Sequence, residues 1–284
     1  MPDPVVVSIS SQVVYGHVGN CAAVPALQAL GYEVLAIPTV LLAHHPGHGA
    51  PKGRVLPSED VAGLLDGVEQ VGVLAKACAL LTGYLGLPGT AAVAADAATR
   101  LRRHKPNALY LCDPVIGDNG RVYVRDGVEQ AIREQLLPLA DVITPNHFEL
   151  ERLCRRPVTT LAQAIGAARS LLALGPRTVV VTSLKHEQAE AQQIETLAVT
   201  ADGAWIAATP RLDKVPNGGG DLLAALLLGH LALGTTLPDA LAQAVSAVHG
   251  VLVASAGEPE LRLVAERRHL LEPPFLQVRG LNHP

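Results

Sequence analysis

Residues 4–31 read PVVVSISSQVVYGHVGNCAAVPALQALG. A β-branched apolar run from Val5 to Ile9 gives way to a turn bounded by Gly16 and Gly19. Asn20 then stands where a helix N-cap belongs, and Gly31 where the helix stops. The order is strand, glycine turn, helix, and it recurs. YEVLAIPTV (32–40) reads as a second strand, followed by a polar Gly/Pro/His-rich loop over about residues 43–57. Ser58 is the expected N-cap of the next helix, with Val61, Leu64, Leu65 and Val68 on one face. ACALLTGYLG (77–86), ALYLCDPVIGD (108–118), ADVITPN (140–146) and RTVVVTS (177–183) are four more strands, each ending in a polar or glycine-bearing turn. Helices are expected between them around 89–104 and 159–174, and the chain after Gly220 reads as mostly helical. Repeated β-loop-α order predicts an α/β fold, a mostly parallel sheet with helices on both faces. With no internal repeat and no low-complexity linker, residues 1–284 read as one domain.

Composition agrees with a large core. Nearly half of the 284 residues (49%) are hydrophobic, with few aromatics, so Ala, Leu and Val supply the bulk, as buried parallel strands require. A net charge of −4 without a basic stripe argues against nucleic acid as a partner. Cys21, Cys78, Cys112 and Cys154 are scattered and form no Cys-x-x-Cys pair, the pattern of a reduced cytoplasmic chain. The start MPDPVVVSIS lacks a basic n-region, and no apolar stretch approaches the ~20 residues that span a bilayer. DGAWIAATP (202–210) reads as a hairpin partner with Trp205 packing at core or edge, and LLEPPFLQVRGLNHP (270–284) as either a tail or a packed arm.

In such sheets a ligand sits at the carboxyl ends of the strands. The polar residues there are Ser10, Ser11 and Gln12, Tyr84, Asp113 and Asp118, Asn146 and Glu149, and Thr182 and Ser183. Beyond them KVPNGGGDLLAALLLGHLALG (214–234) sets one carboxylate between three glycines and an apolar helix. Amides of Gly218, Gly219 and Gly220, with the helix N-terminus behind them, can cradle an anion such as a transferring phosphate. Asp221 is placed to take the proton of an attacking hydroxyl. Each feature also has a plainer reading: a loop with a capping acid at Asp221, a strand-end serine at Ser11, an Asp-Pro turn at Asp113, a first-turn acid at Glu149, a core aromatic at Tyr84.

Taken together and in order, SSQVVYGHVGN (10–20), DPVIGD (113–118), TPNHFELE (144–151) and GGGD (218–221) resemble the ribokinase superfamily, and within it the pyridoxal kinases. GYEV, PTVLL, KGRVLP and TGYLG continue the likeness, which runs from about Val5 to Leu228. The resemblance implies a ribokinase-like three-layer α/β/α fold around a central, mostly parallel sheet. It implies ATP-dependent phosphorylation of the hydroxymethyl group of pyridoxal or a related B6 vitamer, in a cytoplasmic homodimer without nucleic-acid or membrane partners. It makes Asp221 the base and Gly218–Gly220 the anion hole. Ser11, His45, Tyr84 and Tyr123 would face the substrate, and Asp113, Asp118, Asn146, Glu149, Thr182 and Ser183 the nucleotide. Asp113 and Glu149 would lie closest to Mg²⁺, which favours oxygen ligands; a monovalent cation stays open as a second ion.

The chain departs from that family at two places. Gly219 stands where the family has threonine, which predicts altered ATP affinity or rate. LLAHHPGHGAPKGRVL (41–56) carries His44, Pro46, His48 and Pro51 in the loop that encloses the pyridine ring. His45 and His48 are spaced to chelate a metal, but a Gly/Pro loop is poorly preorganised for one. A solvated flap that closes over the site is the preferred expectation. Two other functions stand beside the first: a hydroxymethylpyrimidine kinase of the same fold, and a degenerate kinase that binds vitamer or nucleotide without turnover.

Overall fold

The computed structural model describes residues 4–274 and 276–281. Met1–Asp3, Phe275 and Asn282–Pro284, the last four within the C-terminal segment read as tail or arm, lie outside the described residues. The chain opens with β1 (Val5–Tyr15), α1 (Asn20–Ala29), β2 (Glu33–His44), β3 (Gly53–Val55) and α2 (Ser58–Gln70). β4 (Ala77–Thr82), α3 (Gly89–His104) and β5 (Leu109–Cys112) follow, then a small hairpin of β6 (Gly117–Asp118) and β7 (Arg121–Val122). Next come α4 (Val128–Ala131), β8 (Val142–Ile143), α5 (His147–Cys154), α6 (Leu161–Leu172) and β9 (Thr178–Leu184). β10 (Gln193–Val199), β11 (Ala204–Pro210), α7 (Gly219–Ala232), α8 (Leu237–Ala254), α9 (Arg268–Leu271) and β12 (Val278–Leu281) end the chain.

Among the described residues ten strands form one sheet in the order β12-β11-β10-β9-β8-β5-β4-β1-β2-β3. The run from β9 to β2 is parallel throughout, with β3 antiparallel on one edge and β10, β11 and β12 antiparallel on the other. Strand alternation divides the core. Val5, Val7 and Ile9 face one helical layer, while Val6, Ala79, Leu81 and Leu111 face the other. That second layer holds α7, buried at every residue from Leu222 to His230. A helix apolar all round needs partners on every side, and the small strand residues Ala79, Ala198 and Ala207 let it lie close to the sheet.

The structure corrects several local expectations. Asn20 is the first residue of α1, not its cap, because Gly19 at φ 54° makes the turn. The Asn20 amide is buried instead between strands: it accepts from Ser8 Oγ (2.7 Å) and donates to the carbonyls of Ser10 (3.2 Å) and Ile37 (3.4 Å). Buried amide groups require such partners, and here they tie β1 to β2. Pro57, not Ser58, precedes α2 as N-cap, and Leu64 at the margin of the apolar stripe is 45% exposed. Residues 43–57 are more ordered than a loop, since β3 pairs with β2 from Val40↔Val55 to Leu42↔Gly53. The C-terminal segment is an arm in its described part, β12 pairing with β11. Trp205 packs part-buried against the second core. Among the described residues one helix, α8, is apolar and long enough to cross a membrane by length and composition, against the expectation of none. Half of it is buried against the fold, where Ala240, Leu241, Ala244 and Val251 belong to the core.

Candidate active site

Strand order reverses at β1, whose neighbours are β2 on one side and β4 on the other. A crevice opens at such a switch point, at the carboxyl ends of the strands. Register between β1 and β2 slips between Ser10 and Gln12, a bulge that redirects the strand where the site begins. Ser11, 8% exposed, lies in that bulge under Gly19, where a Cβ would sit 2.1 Å from Ser11 Oγ. Ser10, Gly19, Thr82, Gly83, Asp113 and Asp221 line the narrow crevice together. Ser10 Oγ is buried there without a hydrogen-bond partner among the described residues. Tyr84 follows immediately, half-buried; its carbonyl accepts from Thr39 Oγ1 at 2.6 Å, and burial raises its phenol against the nearby Arg125 charge.

The glycine run starts the helix two residues earlier than the sequence suggested. Gly218 is the N-cap at φ 102°, and α7 begins at Gly219. The first-turn amides of a helix have no intrahelical acceptors, so those of Gly219 and Gly220 remain available, while the Asp221 amide turns to its own carboxyl. Asp221 is half-buried in this first turn. Burial pushes its carboxyl up to about 6, opposed by the backbone amides of Gly19 and of Asp221 itself.

Carboxylates gather opposite it. Asp113 is buried after β5 and accepts from Thr144 Oγ1 at 2.9 Å. Its carboxyl is held well above the usual range by burial and then by the charges of Glu149 and Asp221. Glu149 is buried in the first turn of α5, so the solvated reading does not hold. It forms a capping box with Asn146: Asn146 Oδ1 accepts from Glu149 N and Glu149 Oε2 from Asn146 N, both at 2.9 Å. Its other oxygen accepts from Ile116 N (2.8 Å) and Gly117 N (3.3 Å). Burial still wins and pushes Glu149 up to about 7. Asn146 also donates to the Gly117 carbonyl at 2.8 Å, fixing the β6–β7 hairpin. Asn146→Ala is expected to cost about 1–2 kcal/mol and to lower the melting temperature by a few degrees, read by calorimetry.

Asp118 lies exposed at the tip of that hairpin, beside a cleft of about 390 Å³ that also takes in Asn119, His147, Phe148, Ser183 and Lys185. Ser183, next to last in β9, lies in the left-handed region at φ 49°, a strained conformation for a non-glycine residue, with Thr182 half-buried beside it. Lys185 Nζ donates to Asn119 Oδ1 at 2.6 Å; sequence reading missed it, although it lies just past the end of β9. Tyr123 sits on the rim, 49% exposed; partial burial and then the carboxylates of Glu149, Asp113, Asp118 and Asp221 raise its phenol. The structure thus brings Asp113 and Asp221 into one crevice, with Ser11 and Tyr84 next in sequence to its lining residues Ser10 and Gly83. Asp118 and Ser183 line the cleft, with the bridged pair Asn146 and Thr182 and the capping acid Glu149 in the elements beside it, and Tyr123 within reach of the carboxylate charges.

His45 departs from the solvated-flap expectation: it is 6% exposed. Its Nε2 lies 2.8 Å from Glu260 Oε1, and His48 Nε2 lies 2.5 Å from the same oxygen. Glu260, far along the chain in a Glu-Pro-Glu turn, carries no local signal that sequence reading could use. The donor atoms of the three side chains fall within 4.8 Å of one another, as a metal would require. However, His45 Nδ1 accepts from Gly47 N at 3.0 Å, which leaves its proton on Nε2. Ligation through Nε2 would displace that proton and break the Gly47 bond, so the trio is a hydrogen-bonded set.

The comparisons bear on this geometry. The Phosphomethylpyrimidine kinase family model matches residues 57–259. Pyridoxal kinase PdxY of Rubrobacter xylanophilus is 47% identical over 273 residues, covering 95% of this chain and 94% of that protein. Pyridoxal kinase PdxY of Deinococcus radiodurans is 44% identical over 280 residues, with coverage of 95% and 94%. The solved pyridoxal kinase from Leishmania donovani, in complex with ADP and pyridoxamine, superposes with a TM-score of 0.92 at 31% identity, covering 98% of this chain and 100% of that one. With likeness of this degree over nearly its whole length, the chain belongs to the pyridoxal kinase family, phosphotransferases of the ribokinase superfamily.

Proposed function

We propose that the chain transfers the γ-phosphoryl group of ATP to the exocyclic hydroxymethyl oxygen of pyridoxal or a related B6 vitamer, giving the 5′-phosphate and ADP. The observation that carries this reading is the position of Asp221: a carboxylate in the first turn of α7, directly after the Gly218–Gly220 amides, facing a crevice shared with Asp113. The acceptor oxygen bonds to the γ-phosphorus while the bond from phosphorus to the β,γ-bridging oxygen breaks. The hydroxyl proton passes to a carboxylate oxygen of Asp221. In a loose transition state that transfer can come late, so a base near 6 suffices. Amides of Gly219 and Gly220 hold the charge on the transferring group.

Ser11 and Tyr84 are assigned to the substrate ring, with Tyr123 at the rim between ring and phosphates; His45, both of whose ring nitrogens are bonded within the fold, holds its segment in place rather than bonding the ligand. Asp118, Asn146, Thr182 and Ser183 are assigned to the nucleotide side. The acidic cluster fits a hard divalent cation, since Asp113 is buried among oxygen donors and its strongest electrostatic neighbours are two further carboxylates. Asp113 would hold Mg²⁺ directly. Glu149, with both oxygens already committed to amides, would act through water. When bound, the ion neutralises charge on the nucleotide phosphates. A cytoplasmic homodimer belongs to the same proposal, and sedimentation velocity tests the dimer.

The direct test is turnover. Pyridoxal with MgATP is expected to yield pyridoxal phosphate, followed by its absorbance, with kcat/KM at least ~10-fold above that for hydroxymethylpyrimidine, a discrimination one misfitted ring contact can supply. The reverse ranking would move the chain to the pyrimidine kinases. Binding of both ligands without product would make it a degenerate kinase.

A further inference from the structure

We infer that Glu260 is a positioning residue that latches the His45–His48 segment over the phosphate cradle and thereby sets affinity for the phosphoryl acceptor. The inference rests on the kinase reading above for its kinetic part only. One carboxylate joins three segments that are distant in sequence. Oε1 receives His45 Nε2 and His48 Nε2 at 2.8 and 2.5 Å, and Oε2 receives the backbone N–H of His17 at 3.0 Å. Glu260 is only 8% exposed, so these bonds act where water competes little. Burial alone would raise its carboxyl, yet the bonds from His48, His17 and His45 hold it below the usual range.

The fit is close on the side of the first turn. A Cβ on Gly16, at φ 105°, would lie 2.7 Å from the Glu260 carboxylate, so only glycine lets the carboxylate reach the His17 amide. Contact with the cradle is equally direct. A Cβ on Gly218 would meet the His17 carbonyl oxygen at 1.9 Å and Leu261 Cδ1 at 3.1 Å. A Cβ on Gly47 would lie 2.8 Å from Asn217 Nδ2, immediately before the glycine run. The latched segment, the β1–α1 turn and the glycine run are therefore packed as one unit about Glu260. His45 cannot turn toward solvent without abandoning both the carboxylate and the Gly47 amide.

Glu260→Ala removes the latch, and Glu260→Gln keeps the shape and one acceptor oxygen for the two histidines while losing the acceptor for His17 N. For Glu260→Ala the expected result is a KM for pyridoxal raised ~10-fold or more, the loss typical of a misplaced positioning group. KM for MgATP and kcat at saturation should stay within about threefold, and Glu260→Gln should recover much of the loss. Hydrogen exchange of residues 44–55 supplies a readout independent of turnover: protection at the Gly47 and His48 amides should fall in Glu260→Ala and return in Glu260→Gln. Unchanged protection there overturns the latch, as does a uniform loss in kcat and both KM values alongside a lower melting temperature. If the wild-type protein does not phosphorylate pyridoxal at all, the kinase reading fails, while the exchange experiment still decides the latch.

Discussion

Asp221→Asn is expected to remove turnover and to leave a more stable protein. Loss of a positioned base costs ~10²–10⁴ in rate, so kcat should fall by about 10³ with the KM values little changed. The stability gain follows from the sign of the Asp221 shift. Its carboxyl is raised from 3.8 to about 6 in the folded protein, so the unfolded chain releases this proton first as pH rises. Whatever the group contributes is fully present below about 3.8 and is lost as pH rises through about 6. At pH 7 the ionised group is therefore a net burden. Two units correspond to a ceiling of ~3 kcal/mol, and half-burial lowers the expectation to about 1–2 kcal/mol. Calorimetry at pH 7 should show a melting temperature higher by several degrees in Asp221→Asn, with the gain gone by pH 4. In the wild type the same titration predicts that kcat/KM climbs as pH rises through about 6, because the base must be ionised in the free enzyme. Retained turnover in the variant would remove Asp221 from the reaction. Lost turnover with lowered stability would make it a structural cap instead.

That separation matters because the plain and functional readings of the same residues coincide in local structure. Asn146 and Glu149 do form a capping box, and the box is what buries Glu149 among carboxylates. The fold itself was legible because β-branched runs alternated with glycine turns and helical periodicity, and because α7 is too apolar to lie anywhere but inside. The acids at strand ends were legible for a related reason: parallel sheets deliver the residues after each strand to one edge. Glu260 was not. Its meaning comes from two histidines 215 and 212 positions away, a pairing that no periodicity or turn chemistry announces. Residues 53–55 were missed as a strand for a similar reason, since a short edge strand shows too little alternation to distinguish from a loop. Asn20 looked like a cap because its residue type favours caps, and tertiary hydrogen bonds overrode that preference.

Substituting the three glycines one at a time should give unequal losses that map the cradle. Gly218→Ala is expected to be severe. Its φ of 102° is strained for any side chain, and the new Cβ would fall 1.9 Å from the His17 carbonyl oxygen, a backbone atom that cannot swing aside. Strain of ~1–3 kcal/mol adds to displacement of the β1–α1 turn, whose His17 amide is bound to Glu260. A melting temperature lower by at least 5 °C, as 2–3 kcal/mol implies in a chain this size, and kcat/KM lower by ~10²-fold are expected. Gly220→Ala should differ in kind. Nothing lies within 4 Å of its Cβ position, so stability should hold or rise by ~0.5–1 kcal/mol, the helix preference of alanine over glycine. Any loss there should appear in kcat, because the Gly220 amide is one of those assigned to the transferring group. Gly219→Thr should be tolerated too, since the nearest atoms to its Cβ, on the Leu252 and Val248 side chains, lie at an ordinary contact distance of 3.8–3.9 Å. The hydroxyl it restores is expected to lower KM for MgATP by a few-fold, a test of whether Gly219 weakens nucleotide binding. If Gly218→Ala instead melts with the wild type and turns over normally, the glycine run is a pliable loop, and its amides do not form the fixed cradle that holds the phosphoryl group.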